Sequence, residues 1–178
     1  MKKDISLQLE IPEDVEISLN GGIKVKKGDK ELSEKFNLGK LKLRQEDKKL
    51  FIETKKGTKR EKKLAGTIKG KIQNMITGVT KGFTYKLQIA SSHFPMKVEV
   101  DKDKRVVLVK NFLGERIPRK AKILPNVEVT IEGDVIMVFS INKEAAGQTM
   151  ANIEATTKAG ARDKRIFQDG IYLIEKPK

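Results

Sequence analysis

The sequence of 178 residues contains no cysteine, no tryptophan and a single histidine, His93. Without cysteine there can be no disulfide framework and no thiolate metal site, a composition that fits a cytosolic chain. One histidine also leaves too few bases and ligands for catalytic triads and the common zinc sites. These absences argue against an enzyme and predict that the protein uses no cofactor.

Long apolar runs are also missing, because no stretch approaches the 18 residues that a membrane-spanning helix needs. The amino terminus shows no signal-peptide pattern. Hydrophobic residues make up 38% of the chain and charged residues 35%, which predicts small aliphatic cores. We therefore expect a soluble, intracellular protein that does not span a membrane.

Motifs for small-molecule chemistry are equally scarce. No Walker or dinucleotide-binding glycine pattern occurs, and "GVTKG" at 78–82 has no preceding strand that would make it a phosphate loop. Two carboxylate pairs, at 13–14 and 101–103, fall in polar segments typical of solvated turns. The sequence thus predicts neither a catalytic residue nor a small-molecule substrate.

Positive charge is what the chain has in excess. It carries 38 Lys and Arg against 24 Asp and Glu, for a net charge of +14 and an isoelectric point near 9.8. Both halves are basic, so the charge does not sit on a detachable tail. Such a balance favours a polyanionic partner, either nucleic acid or an acidic membrane.

The chain also repeats itself. "IPEDVEI" at 11–17 returns as "FPMKVEV" at 94–100, and "LAGTIKGKI" at 64–72 returns as "AAGQTMANI" at 145–153. In the part of each copy that lies between these two matches, the alternating apolar residues around Leu50 correspond to those around Ile136. A period above 80 residues is too long for a solenoid and indicates two copies of one small domain.

Within each copy, period-two apolar runs predict antiparallel strands and are followed by one amphipathic helix. Thr58 and Glu61 form a capping-box pattern at the start of the first helix. The second helix is expected to end near Gly160. We therefore predict an α+β fold of two tandem, duplicated small domains at 1–82 and 83–178, each an antiparallel sheet with one helix packed on one face.

Three basic clusters are the best candidates for a binding surface. The first, at 55–71, places eight lysines and arginines against Glu61 and is predicted to include a lysine-rich loop at 55–63 that opens the helix. The second, at 110–122, includes Arg116, Arg119, Lys120 and Lys122. The third, at 158–165, includes Lys158, Arg162, Lys164 and Arg165. A single run of this kind is usually a solvated surface, but three runs in a basic chain favour contacts with phosphates.

Seven Phe and two Tyr are few for a protein that reads single-stranded bases by stacking. His93 precedes Phe94 and Pro95, a context that favours a turn or surface role. Stacking on an RNA base is the second interpretation. The pattern predicts recognition of folded RNA through its shape and phosphates, without base-specific readout.

Five segments together resemble the large-subunit ribosomal protein six family, and most closely its archaeal and eukaryotic branch. They are "IPEDVEI", "QNMITGVTKGFTYKL", "SSHFP", "VKNFLGER" and "RIFQDGIYLIEK", in family order over nearly the whole chain. The resemblance implies two duplicated domains, of which the second supplies most of the RNA contact and the first is more exposed. The lysine-rich 55–63 segment departs from the tryptophan-containing motif of the eukaryotic branch.

The resemblance also implies particular site residues and partners. Within its carboxyl-terminal signature, Arg162 and Arg165 would bind phosphate, Gly170 would allow a tight turn, and Phe167 and Tyr172 would support the loop. Further RNA contacts are expected at Lys59, Arg60, Lys63, His93 and Lys97. The implied partners are large-subunit rRNA, neighbouring ribosomal proteins near the stalk base, and translational GTPases bound close by.

We therefore predict a non-catalytic constituent of the cytoplasmic ribosome that holds separated rRNA segments through phosphate contacts. One alternative is an RNA chaperone or translational regulator outside the ribosome that uses the same surfaces. Another is an RNA-modifying or RNA-cleaving enzyme, against which the missing histidine, cysteine and metal-ligand sets speak.

Overall fold

The computed structural model describes residues 3–19, 22–46, 48–160, 162–163 and 165–177. The chain divides into two compact units, Met1–Lys81 and Gly82–Lys178, each with its own apolar core. Neither helix in the described ranges is both long and apolar enough to cross a membrane.

The first unit contains six strands and one long helix in its described part. The strands are β1 (Lys3–Glu10), β2 (Glu16–Ser18), β3 (Ile23–Lys27), β4 (Lys30–Glu34), β5 (Lys42–Glu46) and β6 (Lys49–Gly57), and α1 (Lys59–Thr80) follows. They form two antiparallel sheets, ordered β1-β6-β5 and β2-β3-β4. Leu50, Ile52, Ile68 and Ile72 are among the side chains that fill the core between the sheets and α1.

The second unit repeats this order and adds one strand at the end. Its strands are β7 (Phe83–Ala90), β8 (Lys97–Asp101), β9 (Val106–Lys110), β10 (Arg119–Lys122), β11 (Glu128–Glu132), β12 (Val135–Ser140) and β13 (Gly170–Glu175). The helix α2 (Lys143–Thr156) lies between β12 and β13 in sequence. The sheets run β11-β12-β7-β13 and β10-β9-β8. The predicted α+β class is confirmed, with the strands of each unit shared between two sheets.

Both helices begin at a side-chain cap, and the sequence indicates the first of the two. The Thr58 side chain accepts a hydrogen bond from the Arg60 N–H at 3.3 Å, and the Thr58 N–H donates to Glu61 Oε2 at 2.7 Å. The Thr58 hydroxyl also donates to Glu61, and this bond, followed by the bond from the Thr58 N–H, lowers the pKa of the Glu61 carboxyl. In α2 the Asn142 Oδ1 accepts from the Glu144 N–H at 2.9 Å. The capping box predicted for α1 is confirmed.

Two local predictions were wrong. Residues 55–63 do not form a loop, because β6 continues to Gly57 and α1 begins at Lys59. The extra residues of the first copy lengthen that strand and the first turns of the helix instead. The helix α2 ends at Thr156, four residues before Gly160, where the Thr157 N–H reaches the Glu154 carbonyl in a tighter turn.

Candidate nucleic-acid interface

A buried carboxylate, Asp169, organises one end of the second unit. Only 1% of the residue is exposed, and its Oδ1 accepts from the Ser92 N–H at 2.6 Å and the Ser92 hydroxyl at 2.7 Å. The His93 N–H donates to Oδ2 at 3.2 Å, and His93 Nδ1 lies 3.3 Å from the same oxygen. Burial alone would raise the pKa of Asp169, but these hydrogen bonds outweigh it and lower the pKa to about 2. The ionised carboxylate therefore fixes the loop at 91–95 to the segment before β13.

Aromatic contacts extend this connection to the surface. The His93 and Phe167 rings lie 5.4 Å apart with a tilt of 38°. The Arg162 guanidinium lies over the Phe167 ring, 5.1 Å from its centre. Both polar side chains remain exposed. Phe167 thus supports a histidine and an arginine that face solvent.

The connection between β9 and β10 packs against the same loop. Asn111 Nδ2 donates to the Pro95 carbonyl at 3.0 Å, and a Cβ atom at Gly114 would lie 3.5 Å from the Phe94 ring. Asn111, Leu113 and Gly114 all adopt positive φ, of 58°, 49° and 79°. A left-handed leucine is uncommon and needs surrounding contacts to hold it, which the burial of Leu113 supplies.

Arg119 ties this connection to the end of α2. Its guanidinium binds Glu115 through Nε at 2.7 Å and Nη2 at 2.6 Å, and Nη1 donates to the Thr156 and Lys158 carbonyls at 2.7 and 3.0 Å. The Phe112 ring lies 4.4 Å below the guanidinium carbon. The Arg119 hydrogen bonds lower the pKa of Glu115. Four of the five Arg119 N–H groups are thus used within the protein.

These contacts join three segments into one surface, which we call the loop surface: the described residues of 91–97, 111–118 and 158–169. Arg116, Lys158 and Arg165 are exposed on it, and their side chains make no hydrogen bond or ion pair with the described residues. Arg162 and His93 are exposed on it as well. The structure therefore gathers five of the predicted cationic or polar site residues on one face of the unit.

The remaining predicted residues of the second unit lie elsewhere or have other partners. Lys97 begins β8 and pairs with Glu99 at 3.2 Å. Lys120 and Lys122 are exposed on the outer side of β10, whereas Arg119 and Ala121 alternate toward the interior. Lys164 lies outside the described residues. Of the whole predicted set, Arg119 has the clearest structural task.

Lys59, Arg60 and Lys63 belong to the first unit. All three are exposed in the first two turns of α1, where the helix dipole favours an anion. They form a second, separate group of cations.

The loop surface has no counterpart in the described part of the first unit. Leu9 and Val15 are six residues apart, whereas the repeat-related Leu87 and Val98 are eleven residues apart and enclose the His93 loop. A two-residue turn joins β3 to β4, but eight residues join β9 to β10. The third segment precedes β13, a strand that the described part of the first unit lacks. All three segments are therefore additions that distinguish the second copy from the first.

Sequence reasoning missed two features of this surface. It assigned no role to Asp169, which lies within the quoted segment "RIFQDGIYLIEK". It also missed the exposed apolar side chains Phe94, Ile117 and Ile166, which are 41%, 81% and 61% exposed. No group of three or more acidic or histidine side chains that could hold a metal occurs among the described residues.

Comparison with known proteins gives a consistent family match. The family described as Ribosomal protein L6 matches residues 11–82 and 94–170. The chain is 47% identical over 170 residues to the large ribosomal subunit protein uL6 of Methanobrevibacter smithii, covering 95% of this chain and 94% of that protein. It is 46% identical to the uL6 protein of Methanosphaera stadtmanae, covering 97% of this chain and 94% of that protein. It is also 46% identical to the uL6 protein of Staphylothermus marinus, covering 94% of this chain and 92% of that protein.

Proposed function

The chain belongs to the ribosomal protein L6 family, and from this we propose that it is a structural constituent of the large ribosomal subunit that binds large-subunit rRNA. Proteins of this family are structural and non-enzymatic, in agreement with the prediction of a non-catalytic protein. As a ribosomal protein it acts in the cytoplasm. The archaeal relatives support the predicted archaeal-type branch.

The observation that carries the RNA-binding role is the construction of the loop surface. Asp169 and Arg119 use hydrogen bonds to hold three loops together, while Arg116, Arg162 and Arg165 are left exposed on them. An exposed guanidinium group can meet phosphate oxygens in a bidentate way. A rigid set of such groups favours folded RNA, because it matches fixed phosphate positions without reading base edges.

The second unit is accordingly the main rRNA-binding domain in this proposal, since the described part of the first copy lacks the three loops. Lys59, Arg60 and Lys63 would add a phosphate contact at the helix start of the first unit. Lys97, Lys120, Lys122 and Lys164 remain candidate phosphate contacts. Arg119 acts mainly by positioning the loops.

The position on the subunit is the finer part of the proposal. We propose, as the family resemblance implies, a position near the stalk base, beside other ribosomal proteins and close to bound translational GTPases. Crosslinking of the chain within intact large subunits, with RNA and protein sites both mapped, tests this placement. Crosslinks confined to the opposite side of the subunit would contradict it.

Binding to rRNA is tested by replacing Arg116, Arg162 and Arg165 together with alanine. We expect weaker binding to large-subunit rRNA fragments and a salt dependence reduced by roughly one unit for each phosphate that the variant no longer neutralises. The matched control replaces the exposed lysines Lys26, Lys30 and Lys102, which lie outside both cation groups. Equal weakening in the two triple variants would show that general charge, rather than the loop surface, binds the RNA.

Co-sedimentation separates this role from that of an RNA chaperone or regulator outside the ribosome. An integral constituent stays with large subunits at high salt, whereas an accessory factor is washed off. Release of the wild-type chain under conditions that leave other ribosomal proteins bound would favour the alternative.

A further inference from the structure

The strand β1 has an open edge at the place where the second unit has an extra strand. In the first unit Leu9 pairs with Leu50 and Leu7 with Ile52, and in the second unit Leu87 pairs with Ile136 and Tyr85 with Val138. Since Leu50 and Ile136 are repeat-related, β1 corresponds to β7 residue by residue. Yet β7 lies between β12 and β13, whereas β1 pairs only with β6 among the described residues.

The backbone direction at this edge is also the same in both units. The Ile11 N–H donates to the Lys48 carbonyl at 2.8 Å, and the corresponding Ile89 N–H donates to the Asp134 carbonyl at 2.8 Å. Hydrogen-bonding direction alternates along a strand, so the N–H and C=O groups of Gln8 and Glu10 point toward the open edge. In the second unit the residue that corresponds to Glu10 is Gln88, which lies opposite Tyr172 of β13.

A groove of about 590 Å³ runs along this edge, lined by Gln8, Leu9, Glu10, Ile11, Pro12, Lys69 and Gln73. The first five come from β1 and the residues after it, and the last two come from α1. Leu9 and Ile11 are only 3% and 7% exposed and form an apolar floor. The groove thus occupies the position where β13 lies against β7 and α2 in the second unit.

We propose that this groove is a docking site for an extended segment of another protein, which adds to β1 as an antiparallel fourth strand. The second unit shows what such a segment requires. In β13, Ile171 lies opposite Ile89 and Leu173 opposite Leu87, and Ile171 is 1% exposed. The partner segment therefore carries apolar side chains at alternate positions, for burial beneath α1, and polar ones between them.

A partner of a different sequence fits better than a second copy of this chain. Two chains of net charge +14 repel each other when their sheets meet edge to edge. An RNA strand fits poorly, because the described residues that line the groove supply an apolar floor, an exposed Glu10 and a single cation, Lys69. The site uses the first unit alone, so it does not depend on the loop surface or on RNA binding.

The test uses the full chain and a labelled peptide with the β13 sequence, "DGIYLIEK". We expect saturable binding, with slowed amide hydrogen exchange at Gln8 and Glu10. Glu10→Pro removes an edge-facing N–H without a ladder bond to β6, whereas Glu10→Ala keeps it. The proline variant should bind roughly fivefold or more weakly, the effect of removing one backbone hydrogen bond, and the alanine variant should bind like wild type.

A photo-crosslinker at Gln8 in assembled subunits identifies the natural occupant. An extended protein segment with alternating apolar residues supports the proposal, and loss of that crosslink in Glu10→Pro strengthens it. Crosslinking to rRNA or to a second copy of the chain would overturn it. Absence of peptide binding at millimolar concentration, or equal binding by the two Glu10 variants, would overturn it as well.

Discussion

The carboxylate of Asp169 accepts hydrogen bonds from both the backbone N–H and the hydroxyl of Ser92, a residue 77 positions earlier in the chain. The bonds measure 2.6 and 2.7 Å and lie where the carboxylate is shielded from water. A pairing of this kind fixes two loops at once. It also makes the stability of the second unit depend on the charge of one side chain.

Asp169→Asn should destabilise the protein in a pH-dependent manner. The pKa of Asp169 falls from 3.8 to about 2 on folding, so its contribution is present above pH 4 and is lost as the pH falls toward 2. The shift corresponds to about 2 kcal/mol at neutral pH. Urea unfolding of wild type and variant between pH 2 and 7 should show a difference that shrinks with acidification.

The matched control for this experiment is Asp103→Asn, an exposed turn residue whose side chain makes no hydrogen bond with the described residues. Its effect on the free energy of unfolding should be within about 0.5 kcal/mol. A constant difference between wild type and Asp169→Asn across the pH range would show that shape, and not charge, is what the site needs.

Gly82→Ala should destabilise the protein by about 1–3 kcal/mol. Gly82 has φ of +75°, and a Cβ there would overlap the Phe139 ring. Gly70→Ala is the control, because an added Cβ inside α1 meets nothing within 4 Å and alanine favours helix. The midpoint of thermal unfolding should be lower for Gly82→Ala than for wild type, and unchanged or higher for Gly70→Ala. Equal midpoints would mean that Phe139 moves aside at little cost.

Thr58→Ala should cost about 1 kcal/mol of stability, because it removes the N-cap of α1. Thr67→Ala is the comparison within the same helix, since its hydroxyl donates only to the Lys63 carbonyl one turn earlier. That change should be neutral or slightly stabilising. The free energies of unfolding in urea measure both, and a similar cost at the two positions would contradict the capping argument.

Substitutions at Arg119 and Arg165 should distinguish a loss of folding stability from a loss of RNA binding. Arg119→Ala leaves the Thr156 and Lys158 carbonyls and the Glu115 carboxylate without their donor, so unfolding should become easier by about 1–3 kcal/mol. Arg119→Lys should recover little of this, since an ammonium group cannot form the paired bonds. Circular dichroism during denaturation provides the measurement.

Arg165→Ala, by contrast, should leave stability unchanged and lower the salt slope of rRNA binding by about one. Its side chain makes no hydrogen bond or ion pair with the described residues, whereas its backbone N–H donates to Asp163 and its carbonyl accepts from Gln168. A loss of stability together with an unchanged salt slope would assign Arg165 a structural role.

Local interactions explain why much of the fold is predictable. The Thr58 and Glu61 cap and the alternation around Leu50 and Ile136 involve neighbours in sequence, so their patterns are visible without coordinates. The prediction for the lysine-rich segment at 55–63 was wrong, because a run of charged residues is typical of a loop. In the structure β6 continues through these residues to Gly57. Arg119 was misjudged in the same way, since its charge was visible and its four acceptors were not.

The sequence by itself determined the duplication, the α+β class, the start of the first helix and the family, because repeats, periodicity and caps are short-range or statistical properties of the chain. Only the tertiary structure decided that Asp169 holds Ser92, that Arg119 faces inward while Arg165 faces out, and that β1, among the described residues, lacks the neighbour that β13 gives to β7. Each of these depends on bringing together residues tens of positions apart. Burial and hydrogen bonds between distant segments determine which residues meet, and the local sequence pattern shows neither.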